Sequence, residues 1–292
     1  MTNRSVQRGC IAARTPGRAG PRHRTRVWRR PTAVGTSALI LVLGAASLAG
    51  CGQDGTGRQP LNVFAASSLT EAFQDMEASF ESAHPGTDVV LVFAGSQILR
   101  LQIEQGARAD IFASADPRHA ESLERAGLVG KRTVFASNEL VVIVPSDNPA
   151  GIRSFADLPA SERLVIGMEH VPAGAYTREA LHRAAGDYGA AFEADVLGSV
   201  VSEESNVRLV RAKVELGVAD AAVVYRTDAT PGRVRTIPLP PGANVRARYE
   251  IGAVSSGANP EGAERWLDFV ASPEGQEILT RRGFLPGSAP AP

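Results

Sequence analysis

In the stretch VFAASSLTEAF, residues 63–73, two serines stand between a short apolar run and a helix start, with no charged side chain next to them. Hydroxyls in such a place can donate hydrogen bonds. The first turn of a helix adds unpaired backbone N–H groups and about half a positive charge from its dipole, so this join can hold an anion without lysine or arginine. A local reading competes with it: Ser68 and Glu71 have the spacing of a capping box, in which the serine serves only its own helix.

The same arrangement recurs in FAGSQIL, where Gly95 and Ser96 follow a strand and precede a helix. HVPAGAY, with Ala173, and ESNVRLV, with Val207, supply two more helix starts free of bulky side chains. Tyr225 closes the apolar run DAAVVY and offers a phenol. Other constellations carry less chemistry. His23, His84, His119, His170 and His182 show no metal-ligand spacing, and no bare-cation site is expected. No G-x-S-x-G elbow surrounds Ser255 or Ser256, and no Walker-type loop occurs. Tyr176, Tyr188, Tyr225 and Tyr249 include no adjacent pair of the kind that would suggest a ferric site.

The elements that must position these groups alternate between short apolar runs and helical patterns, which indicates α/β layers on mostly parallel sheets. LNVFAA, TDVVLVF, ADIFAS, ELVVIVP, RLVIGM and DAAVVYR read as strands. Leu69, Phe73, Met76 and Phe80 mark one buried helix face. Further helices are expected from about Gln97 to Gln105, over AYTREALHRAA up to Gly186, over VRLVRAKVELG up to Gly217, around Trp266 and Phe269, and after Pro273. Asp116-Pro117, Asn259-Pro260 and Ser272-Pro273 each combine a capping side chain with proline at the first helical position. Carboxyl ends of parallel strands are where open α/β sheets bind ligands, and both serine turns fall there.

The first 50 residues read as a separate targeting segment. They hold nine arginines and no acidic residue, and end in an apolar run too short to span a bilayer comfortably. Residues 51–292 therefore carry 22 basic and 31 acidic side chains, a net charge of −9, which argues against a nucleic-acid partner. The run closes in LAGC, which resembles the lipobox of bacterial lipoproteins, with Cys51 as the lipidated first residue of the mature chain. Residues 51–60 then read as a tether. Cys10 lies in the leader, so no disulfide is expected.

The ordered set VFAASSLTEAF, FAGSQILRLQIEQGARADIFASAD, NELVVIVP, EHVPAGAYTREAL, NVRLV, DAAVVYRTDA and ASPEGQEILTRRGF resembles the molybdate-binding proteins of bacterial ABC uptake systems over residues 61–284. The resemblance implies a type II periplasmic-binding-protein fold: two α/β lobes, residues 61–138 with 249–292 and residues 139–248, joined by a double-crossover hinge around a ligand cleft. It implies oxyanion contacts at Ser68, Ser96, Ala173, Val207 and Tyr225, with Ser67 supporting the turn. It also implies a non-enzymatic, exported, lipid-anchored monomer without a cofactor. Such a protein captures molybdate, and tungstate, and delivers it to a permease with an ATP-binding subunit.

Every contact so implied is a donor, as suits a tetrahedral dianion that carries no proton. Sulfate asks for similar donors and is the alternative ligand. A reading from another class makes Ser68 the nucleophile of an exported hydrolase with His170 as base. That reading requires ester turnover that disappears in Ser68→Ala.

Overall fold

The structure, a computed structural model, describes residues 57–287. The leader, Cys51 and all but the last four residues of the expected tether lie outside the described residues. Among the described residues no helix is long and apolar enough to cross a membrane.

The chain builds two mixed sheets. The first takes β1 (Gln59–Ala66), β2 (Thr87–Ala94), β3 (Ile111–Ser114), β4 (Thr133–Asn138), β10 (Ala247–Ala253) and β11 (Leu285–Pro286) in the order β11-β4-β10-β3-β1-β2. The second takes β5 (Leu140–Pro145), β6 (Leu164–Gly167), β7 (Val200–Glu204), β8 (Ala221–Tyr225) and β9 (Val234–Pro238) in the order β7-β6-β8-β5-β9. In each sheet the three strands that feed the site run parallel, and the strand arriving from the other sheet lies antiparallel beside them. This is the two-lobed type II arrangement.

Register decides where the helices start. Ala66 pairs with Ala94 and Ala65 with Ala113, so β1, β2 and β3 end level and their helices leave from one edge of the sheet. These are α1 (Thr70–Ala83), α2 (Ser96–Glu104) and α3 (Pro117–Arg125). In the second sheet α4 (Pro172–Tyr188) follows β6, and α6 (Val207–Glu215) follows β7; α5 (Phe192–Gly198) lies between them. α7 (Pro260–Ala271) and α8 (Pro273–Arg281) return to the first lobe. β5 and β8 are buried almost throughout, as strands covered on both faces must be, and their continuous apolar runs reflect that.

Two passages connect the sheets. Only Glu139 separates β4 from β5, and residues 239–246 carry the chain back from β9 to β10. Asn244 ties the passages together: its Oδ1 accepts from Leu140 N (3.1 Å) and its Nδ2 donates to Leu140 O (3.1 Å).

The three proline helix starts are capped as expected. Asp116 Oδ1 accepts from Arg118 N (2.8 Å), Asn259 Oδ1 from Gly262 N (2.9 Å) and Ser272 Oγ from Gly275 N (3.2 Å). Two local expectations are corrected. Gly186 lies inside α4, which runs on to Tyr188 and is closed by Gly189 at φ +97°. The Ser68–Glu71 capping box is absent: residues 67–69 form a 3-10 turn, α1 begins at Thr70, and no side chain caps it. Ser68 and Glu71 both have partners elsewhere, described below.

The first lobe packs Phe73 and Phe80 edge-on against the fully buried Trp266, at 5.7 and 5.1 Å between ring centroids. Beside this core the buried Asp110 links three chain segments, accepting from Asn62 N (2.7 Å), Asn62 Nδ2 (3.2 Å) and Asn259 N (2.8 Å). Removing the carboxylate strands these donors, and each buried unsatisfied donor costs about 1–3 kcal/mol. Asp110→Ala is expected to lower unfolding free energy by about 2–4 kcal/mol in urea titration, and an unchanged midpoint would show that water replaces the carboxylate.

Candidate functional site

The level strand ends of the two sheets face each other across a small cavity, whose space of about 210 Å³ includes its open mouth. The part of it that protein closes off is large enough only for a small ion.

Each wall is a helix start. One side has Ser67 and Ser68 before α1, Gly95 and Ser96 at α2, and Ala115 ahead of α3. The other side has Pro172 and Ala173 at α4, Asn206 and Val207 at α6, and Tyr225 at the end of β8. The five residues singled out by sequence, Ser68, Ser96, Ala173, Val207 and Tyr225, therefore share one cavity. Among the described residues no Asp, Glu, Lys, Arg or His lines it. The positive potential there comes from helix N-termini, whose first N–H groups have no intrahelical acceptor.

The local bonds leave the Ser96 and Tyr225 hydroxyls and the Val207 N–H as donors. Ser96, 1% exposed, accepts from Ala115 N at 3.1 Å through Oγ, so its own hydroxyl proton is free for another acceptor. At α6 the Asn206 side chain caps Leu209 N (3.1 Å) and not Val207 N. Ser68 Oγ lies 2.9 Å from the Tyr249 hydroxyl. Tyr225, 1% exposed, has a buried hydroxyl with no protein partner. Burial, with Tyr249 next, raises the Tyr225 pKa well above its usual value, so the phenol keeps its proton at neutral pH.

Two glycines are set by close approach. A Cβ on Gly95 would lie 2.5 Å from Ser205 O in the opposite lobe, and one on Gly174 would lie 2.2 Å from the carbonyl oxygens of Gly167 and Met168. The first lets α2 meet the turn before α6, and the second seats α4 on the end of β6. Contacts across the cavity join the lobes further. Gln97 Nε2 donates to Ser205 O (2.7 Å), and Glu71 of α1 pairs with Arg208 of α6 (2.6 Å). Burial tends to raise the Glu71 pKa, but the hydrogen bond and charge of Arg208 prevail and hold the carboxyl below its usual value.

His170 is exposed and does not line the cavity, and the Ser68 hydroxyl is engaged with Tyr249. The nucleophile–base pair required of a serine hydrolase is therefore not assembled. Among the described residues no cluster of three His, Cys, Asp or Glu could hold a metal ion. Sequence reasoning missed Tyr249. It lies 181 residues from Ser68, with no local motif to mark it. Ser67 and Ala115 also reach the wall, where Ser67 O accepts from Thr70 Oγ1 at 2.7 Å.

Comparison with known proteins agrees with this geometry. Residues 61–285 match the model of the bacterial extracellular solute-binding proteins. The chain belongs to that family. It is 35% identical over 262 residues to the molybdate-binding protein of Mycobacterium tuberculosis, a match covering 85% of this chain and 97% of the relative. Its fold is also that of the periplasmic molybdate-binding protein of Azotobacter vinelandii (TM-score 0.66, 20% identity, 77% and 98% of the chains). The sulfate-binding protein SubI of Mycobacterium tuberculosis shares it too (TM-score 0.69, 15% identity, 79% and 88%). Members of this family are binding proteins, not enzymes, and are exported.

Near the site one carboxyl stays strongly perturbed. Asp228 is fully buried, and burial pushes its pKa up to about 7 against the opposing pull of Arg211. Because this value lies above that of the unfolded chain, the native state binds the extra proton, and the contribution to stability falls as pH rises from about 4 to about 7. Asp228→Asn is expected to flatten that part of the pH–stability curve, measured by urea unfolding of the ligand-free protein. A slope unchanged by the substitution would assign the effect to other groups.

Proposed function

We propose that this cavity binds molybdate, and tungstate, as the capture step of an ABC uptake system. The observation that carries the reading is the Tyr225 hydroxyl, buried and unpartnered, at a cavity where four helix starts and two serine hydroxyls also converge. A tetrahedral dianion without a proton offers only acceptors, and Ser68, Ser96 and Tyr225 hydroxyls with the N–H groups of Ser68, Ser96, Ala173 and Val207 offer only donors to it. Burying such an ion without a counter-ion is costly, and charge-assisted hydrogen bonds of roughly 1.5–3 kcal/mol each offset that cost.

Molybdate is favoured over sulfate by the similarity to the Mycobacterium tuberculosis molybdate-binding protein, since fold alone serves both anions. In this reading residues 61–138 with 249–292 form one lobe and residues 139–248 the other. They close on the anion about the two passages between the sheets, and the Glu71–Arg208 pair fastens the closed form. The closed monomer presents occupancy to a permease with an ATP-binding subunit. Cys51, after removal of residues 1–50, carries the lipid that keeps the protein at the outer face of the cytoplasmic membrane.

Calorimetric titration of residues 52–292 is expected to give saturable molybdate binding with sulfate as a weaker competitor, and no saturable binding would overturn the assignment. Ser96→Ala and Tyr225→Phe should each weaken binding about tenfold, the effect of one net hydrogen bond near 1.4 kcal/mol. Wild-type affinity in both variants would remove those side chains from the site.

A further inference from the structure

Gln97 is the second residue of α2, directly after Ser96, and is 6% exposed although it does not line the cavity. Its side chain lies over Gly95: a Cβ there would be 2.5 Å from the amide nitrogen, the amide oxygen and Ser205 O alike. From this position Nε2 donates to Ser205 O at 2.7 Å, from one lobe to the other. Oε1 is buried without a protein partner, so among the described residues the amide bonds only outside its own lobe. Nothing in α2 is capped or braced by it.

Both ends of this bond belong to turns that form the cavity wall. Ser96 precedes Gln97, and Ser205 stands two residues before Val207, where β7 gives way to α6. An anion enclosed between the Ser96 and Val207 groups leaves only when the starts of α2 and α6 move apart. A hydrogen bond of 2.7 Å between the same two turns does not survive that movement, so the bond and the enclosure are made and broken together.

The other crossing, Glu71–Arg208, differs in kind. Its side chains are 41% and 31% exposed, and an ion pair that open to water is screened by salt and contributes little. The Gln97 bond is neutral and buried, where water does not compete for the donor.

We infer that Gln97 is the latch of the closed protein, a positioning residue that sets how long the anion is held without touching it. The inference rests on the oxyanion reading above and adds its kinetics. A contact that forms only once the lobes have met plays no part in the encounter between open protein and anion. It therefore slows release and leaves the rate of capture unchanged.

The test is the release rate of residues 52–292 loaded with radioactive molybdate and chased with excess unlabelled molybdate. Calorimetry gives the affinity, and the two together give the capture rate. Gln97→Met keeps the length of the side chain and its packing over Gly95 but cannot donate, whereas Gln97→Ala removes both. Each variant is expected to release molybdate about fivefold faster than wild type, to bind it more weakly by the same factor, and to capture it at the wild-type rate. Thermal unfolding without ligand reports any loss of fold and is expected to stay at the wild-type temperature.

Wild-type release in Gln97→Met with faster release in Gln97→Ala would show that packing and not the hydrogen bond holds the lobes, which overturns the inference. So does release within about twofold of wild type in both variants, or a loss of affinity carried by slower capture. If wild type itself binds neither molybdate nor sulfate, the functional reading falls first and this inference with it.

Discussion

An anion enclosed by protein without a cation must be met by several neutral donors at one point, because no single hydrogen bond offsets the loss of its hydration. Most of this architecture follows from that requirement. Helix N-termini supply unpaired N–H groups and dipole, but each helix brings only its first turn to a given place. Bringing four starts together takes parallel strands that end level, which the Ala66–Ala94 and Ala65–Ala113 pairings provide. It also takes a second sheet that faces the first with its own strand ends. Neutral donors explain how residues 51–292, with a net charge of −9, can serve an anion: the local field at the cavity wall opposes the total.

The same requirement makes the two lobes interdependent. Both contribute to the cavity wall, and the groups behind it cross between lobes as well. Tyr249 contacts Ser68 through its hydroxyl and Tyr225 through its ring, while Asn138 reaches Thr227. Gly95 is compressed against Ser205 O, so even a methyl group would hold the lobes apart. The passages between the sheets are short on one side and tied by Asn244 on the other.

Much of this was legible in the chain. The strands at residues 61–66 and 221–225, the proline-led starts of α3, α7 and α8, and the α6 stop at Gly217 depend on local periodicity and capping, and the structure keeps them. β7, with its mixed polar sequence VVSEE, and α5 gave no comparable signal, since an edge strand and a short helix are held by neighbours more than by pattern. The α4 stop was misplaced because a glycine inside a helix and one ending it look alike until φ is known. The capping box failed for a related reason. Its spacing is local, but Ser68 and Glu71 found better partners 181 and 137 residues away.

The sequence by itself determined which residue types line the cavity: serine, small residues at helix starts, and a phenol after a buried strand, all able to donate. It also set the order of strands and helices, because hydrophobic period and end signals act within about ten residues. Only the tertiary structure decided that five separated turns share one small cavity and that Tyr249 stands behind Ser68. It likewise left the Tyr225 hydroxyl without a protein partner. Strand register and sheet-to-sheet approach fix those facts, and both arise from packing between residues far apart in the chain, where no local pattern carries the information.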